Sequence, residues 1–427
     1  MRYFYFLFFC FFLFENFAQT PTTVTLTTVG AGTWTVPANV YFLDVQCVGG
    51  GGGGGGVSVG NGAGGGGGGG AFSRTSNLSV SPSQNISYTI GAGGLGGAAV
   101  GANGSSGIST WFLSNTTILA EGGIFGSGGN SGGFPGGVGG NSINGFGSIK
   151  WSGGNGGNGI GGSSSGGGGG GAGTTANGGA GAAPAGGAGV APGGAGGAGS
   201  ATIGTAGLAG AIYGGGGGGG RGETQIGGNG AQGVIIISYV VCPQITQQPF
   251  SASICQGSSA NFSVTATGIG ITYQWQLSTD GGSTWSNLNN GANYSGAATS
   301  NLSVSGVVSG INGYQYQCVL SNGCGMNIIS NPATLTVNPF PVFTGPFSDT
   351  TCSGNSVNYT ISANPSAGTA YSWYAFSNSN GSGESTTSIN GNVINDVLVN
   401  TGLNNQIVTY NITMTTGAGC VGTQTIN

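Results

Sequence analysis

The sequence predicts an all-β chain of three parts behind an export signal: a glycine-rich β-sandwich with polyglycine-II-like segments, then two smaller β-sandwich modules. Three observations predict it. Unbroken glycine runs at 49–56, 64–70, 166–171 and 214–220 lie among short β-branched and aromatic stretches. Past residue 241 the glycine density collapses and alternating apolar and polar residues take over. Those alternating runs then occur twice in the same order, the mark of a repeated module.

The first element is residues 1–18. Arg2 supplies a positive charge, residues 3–14 are an apolar run, and Asn16-Phe17-Ala18 offers a cut after Ala18, which is the pattern of a secretory signal peptide. The run is shorter than the about 20 residues a membrane helix needs, Glu15 ends it, and no second stretch of spanning length follows. The mature chain is therefore expected outside the cell, secreted or held at the cell surface, with no transmembrane segment. Its cysteines, Cys47, Cys242, Cys255, Cys318, Cys324, Cys352 and Cys420, read in that compartment as disulfide partners, and their odd number leaves at least one unpaired.

The second element, 19–241, is the glycine-rich domain. Strands are expected at 24–28, 33–36, 41–48, 71–80, 86–90, 108–113, 117–120 and 234–241, so the glycine runs sit between strands. A flexible linker is the plain alternative, because glycine loses the most backbone entropy on ordering. Matched strands at both ends and the rarity of long structureless loops inside a domain argue against it. Extended glycine helices of polyproline-II type, packed side by side and bonded laterally, fit better. Collagen is excluded because the triplet through Gly178 and Gly181 meets Pro184 on the same phase. Thr33-Trp34-Thr35-Val36-Pro37, the strand Val45-Gln46-Cys47-Val48 running into glycine, and the closing Gly233-Val234-Ile235-Ile236-Ile237 resemble glycine-rich domains of secreted bacterial surface proteins. Some phage tail-fibre adhesins carry similar glycine-helix domains, which implies that loops at one end face a receptor.

The third and fourth elements are 242–338 and 339–427. Tyr273-Gln274-Trp275 and Tyr316-Gln317-Cys318 look like the core tryptophan and tyrosine corner of the immunoglobulin fold, with Val264 where a core cysteine would stand. Cys352 to Ala363 repeats Cys255 to Ala266, and Tyr371-Ser372-Trp373 repeats Tyr273-Gln274-Trp275. Both modules resemble the immunoglobulin-like and PKD-like modules of large secreted adhesins. The repeat suggests Cys352 with Cys420 and, by analogy, Cys255 with Cys324, leaving Cys318 in the core. Cys255 with Cys318, and Cys242 with Cys324, is the rival pairing. The last module ends within an expected strand, so a continuation beyond Asn427 is expected.

Chemistry is sparsely provided for. The chain has no histidine, 4 Lys and Arg and 8 Asp and Glu, which excludes histidine-based nucleophilic triads and a nucleic-acid footprint. The carboxylates of the mature chain are scattered; among them Glu384 and Asp396 alone lie within 30 residues of each other, so a facing glycosidase pair is not expected. The many Gly-x-Gly-x-x-Gly matches are products of composition. Arg221-Gly222-Glu223 reads as a solvent-exposed turn. No enzyme, metal or cofactor is expected. Phe125, Phe134, Phe146 and Trp151 stand alone among glycines, either displayed for stacking on glycans or proteins of a cell surface or matrix, or plugging gaps between glycine helices. The expected work is adhesion or matrix structure, with a carbohydrate-binding accessory region of a larger secreted enzyme as the alternative.

Overall fold

The structure is a computed structural model that describes residues 19–427, so the export signal expected at 1–18 lies outside the described residues. The chain forms two compact units: one reaches to Cys242 and includes Asn322–Met326, the other holds Pro243–Ser321 and Asn327–Asn427. Among the described residues, regular structure is β throughout apart from one short 3-10 turn, Ser309–Ile311.

The first unit begins as a sandwich. One sheet is built from β1 (Thr22–Leu26), β3 (Phe42–Val48), β4 (Phe72–Ser79), β8 (Ile149–Trp151) and β9 (Val234–Tyr239), in the order β1-β9-β3-β4-β8. The other holds β2 (Gly30–Thr35), β5 (Asn85–Ile90), β6 (Thr110–Phe112) and β7 (Ile118–Ala120). Val45, Cys47, Ile86, Ile90, Phe112, Ile235 and Ile237 fill the space between them. Burial of this kind contributes about 1.5–3 kcal/mol per large side chain, and it clamps the ends of the strands from which the glycine segments depart.

Those segments form a lattice of extended helices. Along 49–57 the amide donors rotate through three neighbours: Gly49, Gly52 and Gly55 donate to Ala71, Gly68 and Gly65; Gly50, Gly53 and Gly56 to Ile108, Ser105 and Ala102; Gly51, Gly54 and Val57 to Ala231, Gly228 and Gln225. The period of three is that of a polyproline-II helix, which has three residues per turn and no internal hydrogen bonds. The carbonyls of the same segment accept from 94–97, 123–129 and 217–220. Segment 49–57 therefore has six neighbours. Segments 63–71, 166–172 and 214–220 are likewise surrounded, and at the centre 63–71 and 214–220 each bond to the other three of these four. Ten more, at 91–98, 102–108, 121–129, 134–140, 152–159, 178–182, 186–190, 193–199, 207–211 and 226–233, close the shell around them.

Local sequence explains each position. A central helix meets backbone on every side, so a Cβ at any glycine of the 49–56 run would fall far inside van der Waals contact of a neighbouring carbonyl. A peripheral helix has one free side in three and carries a side chain there, as Leu95, Val138, Asn155 and Ala188 do. Several of these residues also satisfy the outward amides of the adjacent helix: Asn229 Oδ1 accepts from Gly96 N (2.8 Å), Asn103 Oδ1 from Gly128 N (2.8 Å) and Asn158 Oδ1 from Gly136 N (2.9 Å). A net gain of about 1 kcal/mol per amide hydrogen bond is needed to offset the extra ordering cost of glycine, about 0.5–1 kcal/mol relative to alanine. Complete lateral bonding is thus a condition of order.

The second unit holds the two repeated modules. In the first, the strand Thr272–Ser278 pairs antiparallel with Gln315–Ser321, placing Trp275 opposite Cys318, and Trp275, Phe262, Val264, Tyr316 and Cys318 share one core. In the second, Ala370–Ala375 pairs with Tyr410–Thr415 and Trp373 lies opposite Ile412, so Ile412 replaces Cys318 in the repeat. The Trp275 Nε1–H donates to Thr299 O (2.9 Å). Tyr316 differs from a tyrosine corner. Its ring stacks on Phe262 with centroids 4.7 Å apart, and no described backbone carbonyl takes its proton.

The disulfides correct the expected pairing. Cys255 is bonded to Cys420 and Cys242 to Cys324, while Cys352 is unpaired and exposed. The strand Ala252–Cys255 runs parallel to Ala333–Asn338 and brings Cys255 beside Asn338. The Cys420 Sγ lies 3.8 Å from the Asn338 carbonyl. Both sulfurs thus meet at the junction of the modules, with Cα atoms 5.5 Å apart, whereas Cys352 sits on an exposed loop. Cys242–Cys324 agrees with the rival pairing, but Cys318 is a buried free thiol, pushed up to about 12 by burial.

Candidate functional site

The glycine helices alternate in direction, and each pair is joined by a turn. Seven turns, at 57–63, 98–102, 129–134, 159–165, 182–186, 199–206 and 220–226, point away from the sandwich. Five of the seven turns reverse through left-handed backbone, which Gly101, Gly132, Gly162, Gly204 and Gly222 supply with φ of +79°, +91°, +73°, +78° and +78°.

Arg221 ties several turns together. Its side chain is 2% exposed; Nε donates to Ser163 O (3.1 Å) and Nη1 to Gly62 O (3.2 Å), while its backbone N donates to Thr205 O (2.9 Å). The expectation of a solvent-exposed Arg221-Gly222-Glu223 turn is thus corrected: the guanidinium is buried because carbonyls at the lattice end need donors. Ser58 Oγ adds a link between turns by donating to Asn130 Oδ1 (2.8 Å). Arg221→Ala is expected to lower the stability of the unit by about 2–4 kcal/mol through lost donors and a cavity, and Arg221→Met by clearly less. Denaturant unfolding checks both; equal losses would show that packing plays no part.

What the turns present to solvent is mixed and nearly neutral. Val59, Val100 (76% exposed), Ile160 and Ile203 (55%) stand among the exposed Asn61, Asn130, Ser131 and Thr202, with Glu223 as the exposed carboxylate of the Arg221 turn. Apolar contacts flanked by amide and hydroxyl groups suit an uncharged or weakly charged partner surface.

The four singled-out aromatics are not brought into one patch. Phe134 begins the 134–140 helix at the turn end, and its ring covers Gly129, where a Cβ would collide with it. Trp151 lies at the sandwich end, packed on Val48, Phe72, Ala172 and Val234. Phe125 is half-buried, and Phe146, bridged to Leu119, is 44% exposed.

Asp280 and Asp396 serve structure. Asp280 closes a turn by accepting from Thr284 Oγ1 (2.6 Å), Thr284 N (2.9 Å), Ser278 Oγ (2.7 Å) and Ser283 N (3.1 Å). Those donors, Thr284 first, hold its carboxyl well below the usual range. Asp396 is buried and accepts from Ser385 N (2.8 Å), Ser385 Oγ (2.6 Å) and the Tyr410 hydroxyl (3.0 Å). A cavity of about 840 Å³ in the last module has Asp349 as its lining carboxylate, beside Cys352, Tyr359 and Tyr410. No helix among the described residues is long and apolar enough to cross a membrane.

Three family models match the chain. Residues 26–240 match a glycine-rich domain, 246–339 a domain of unknown function and 346–426 a PKD-like domain. No curated protein matches the chain. Among solved structures, DIP-gamma IG1+IG2 is 11% identical, covering 43% of this chain and 95% of its own, with a TM-score of 0.26. The N-terminal Ig1-2 module of the Drosophila receptor protein tyrosine phosphatase DLAR is 20% identical over 43% and 95%, at 0.19. The titin domains Z1Z2 in complex with telethonin are 19% identical over 44% and 94%, at 0.22. Scores this low carry no argument about function. The PKD-like match suggests a structural or adhesion-type module. With its central glycine helices and a match that spans half its length, the chain belongs to the glycine-rich domain family.

Proposed function

We propose that this is a secreted or surface-held, non-enzymatic adhesion or matrix protein, in which the glycine-rich unit recognises a partner through its seven turns and the two sandwich modules serve as a stalk. The observation that carries the reading is that a lattice bonded on all sides holds seven turns at one end. Interior helices with six neighbours cannot bend independently, so the turns are presented on a rigid base, and preorganised loops lose less entropy on binding. The absence of histidine and the structural employment of Asp280 and Asp396 favour binding over chemistry. Two disulfides favour an oxidising location.

The test is binding of the whole chain to intact cells and to a glycan array. Val100→Asp with Ile203→Asp is expected to abolish binding at an unchanged melting temperature, while Leu208→Asp on the flank of the lattice leaves it intact. Retained binding by the double variant would overturn the assignment to the turns. Loss on Phe146→Ala would move recognition to the exposed aromatic, and preference for soluble polysaccharide would favour an accessory role beside an enzyme.

A further inference from the structure

We infer that the Cys255–Cys420 bond is a covalent bypass that keeps the greater part of both sandwich modules out of the line of tension when the chain is pulled between its glycine-rich part and Asn427. The inference stands on connectivity and is independent of what the glycine-rich unit binds. Tension reaching Cys242 passes along 243–255, crosses from Cys255 to Cys420, and leaves through 421–427. Everything between, 256–419, hangs outside that path. It contains the paired strands around Trp275 and Trp373 and the greater part of both cores. In the path lie Gln244–Gln247, Ala252–Cys255 and Val421–Ile426.

The second disulfide does not relieve the first. Cys242–Cys324 opens a parallel branch, from Cys324 along the chain to Cys420, but that branch is far longer than the thirteen residues from 242 to 255. The shorter covalent path goes taut first. A protein holding a surface under shear would in this way keep two folded modules while extending only short terminal strands.

The placement of the bond is what makes it a bypass. A disulfide inside one module, such as the pairing of Cys352 with Cys420, would leave the rest of the chain to pay out under force. Here the bond joins the first edge strand of one module to the last hairpin of the next, at Asn338, where the connecting chain passes between them.

Single-molecule stretching of the whole chain, held at Gln19 and Asn427, tests this. Maximum extension without reductant is expected to fall short of that in reductant by the 165 residues spanned by the bond, about 58 nm at ~3.5 Å per residue. Extension of the glycine-rich part contributes equally to both measurements and cancels. A Cys255→Ser, Cys420→Ser variant should recover about half of the difference without reductant, the remaining 82 residues being released only when Cys242–Cys324 is reduced. A Cys242→Ser, Cys324→Ser variant should stop where the parent stops, as should Cys352→Ser. Equal extension of the parent with and without reductant, or full extension of the Cys242→Ser, Cys324→Ser variant without it, would overturn the inference. The wild-type comparison needs no variant to fold.

Discussion

Gly67→Ala is expected to destabilise the glycine-rich unit by about 3 kcal/mol or more. Gly67 donates to Gly217 O (2.8 Å) and its carbonyl accepts from Gly169 N (2.9 Å), while its Cα faces the backbone of Gly52, into which an added methyl would project. In an ordinary core a neighbouring side chain could rotate away. Here the obstacle is a peptide group whose own helix is bonded to six others, so room is made only by breaking lateral hydrogen bonds on several sides at once. Leu95→Ala, at a peripheral position 68% exposed, should change stability by no more than about 0.5 kcal/mol. Urea unfolding followed by far-UV dichroism, and by the fluorescence of Trp34 and Trp111 in the adjoining sandwich, separates the two. An unchanged midpoint for Gly67→Ala would show that the tracts do not nest.

Cys255→Ser combined with Cys420→Ser is expected to have the second large effect, on the other unit. The bond closes a loop of 165 residues, and in the chain-entropy description such a loop corresponds to about 5 kcal/mol of restriction removed from the unfolded chain. Strain and residual structure reduce what is delivered, so a loss of about 3–5 kcal/mol is the expected reading in denaturant titrations. Cys352→Ser should leave the midpoint in place because that thiol bonds nothing. A non-reduced peptide map should contain Cys255 linked to Cys420. A peptide linking Cys352 to Cys420 would instead restore the pairing drawn from the repeat.

The repeat misleads there for a physical reason. Equivalent positions in tandem modules share local surroundings, and Trp275 and Trp373 do take the same place opposite Cys318 and Ile412. A disulfide, however, is chosen by which sulfurs approach to bonding distance, and the approach of Cys255 to Cys420 depends on how two modules meet at Asn338. Nothing in either module's own sequence encodes that. Arg221 is a similar case: beside two exposed-looking residues it reads as a surface turn, yet carbonyls from turns distant in sequence draw it inside. The signal available was its position as the last cation of the chain, directly after the run ending at Gly220.

The amino-acid order alone determined that the chain is β-structured and that its glycine runs lie between strands as extended helices, since unbroken glycine leaves no Cβ to hold neighbouring backbones apart. It determined the repeated module and its tryptophan, because burial of large rings follows from local alternation. Tertiary structure decided which helix bonds to which, where the guanidinium of Arg221 points, which aromatics are covered and which cysteines join. Those outcomes depend on distances between residues far apart in the chain, and composition and periodicity carry no information about such distances.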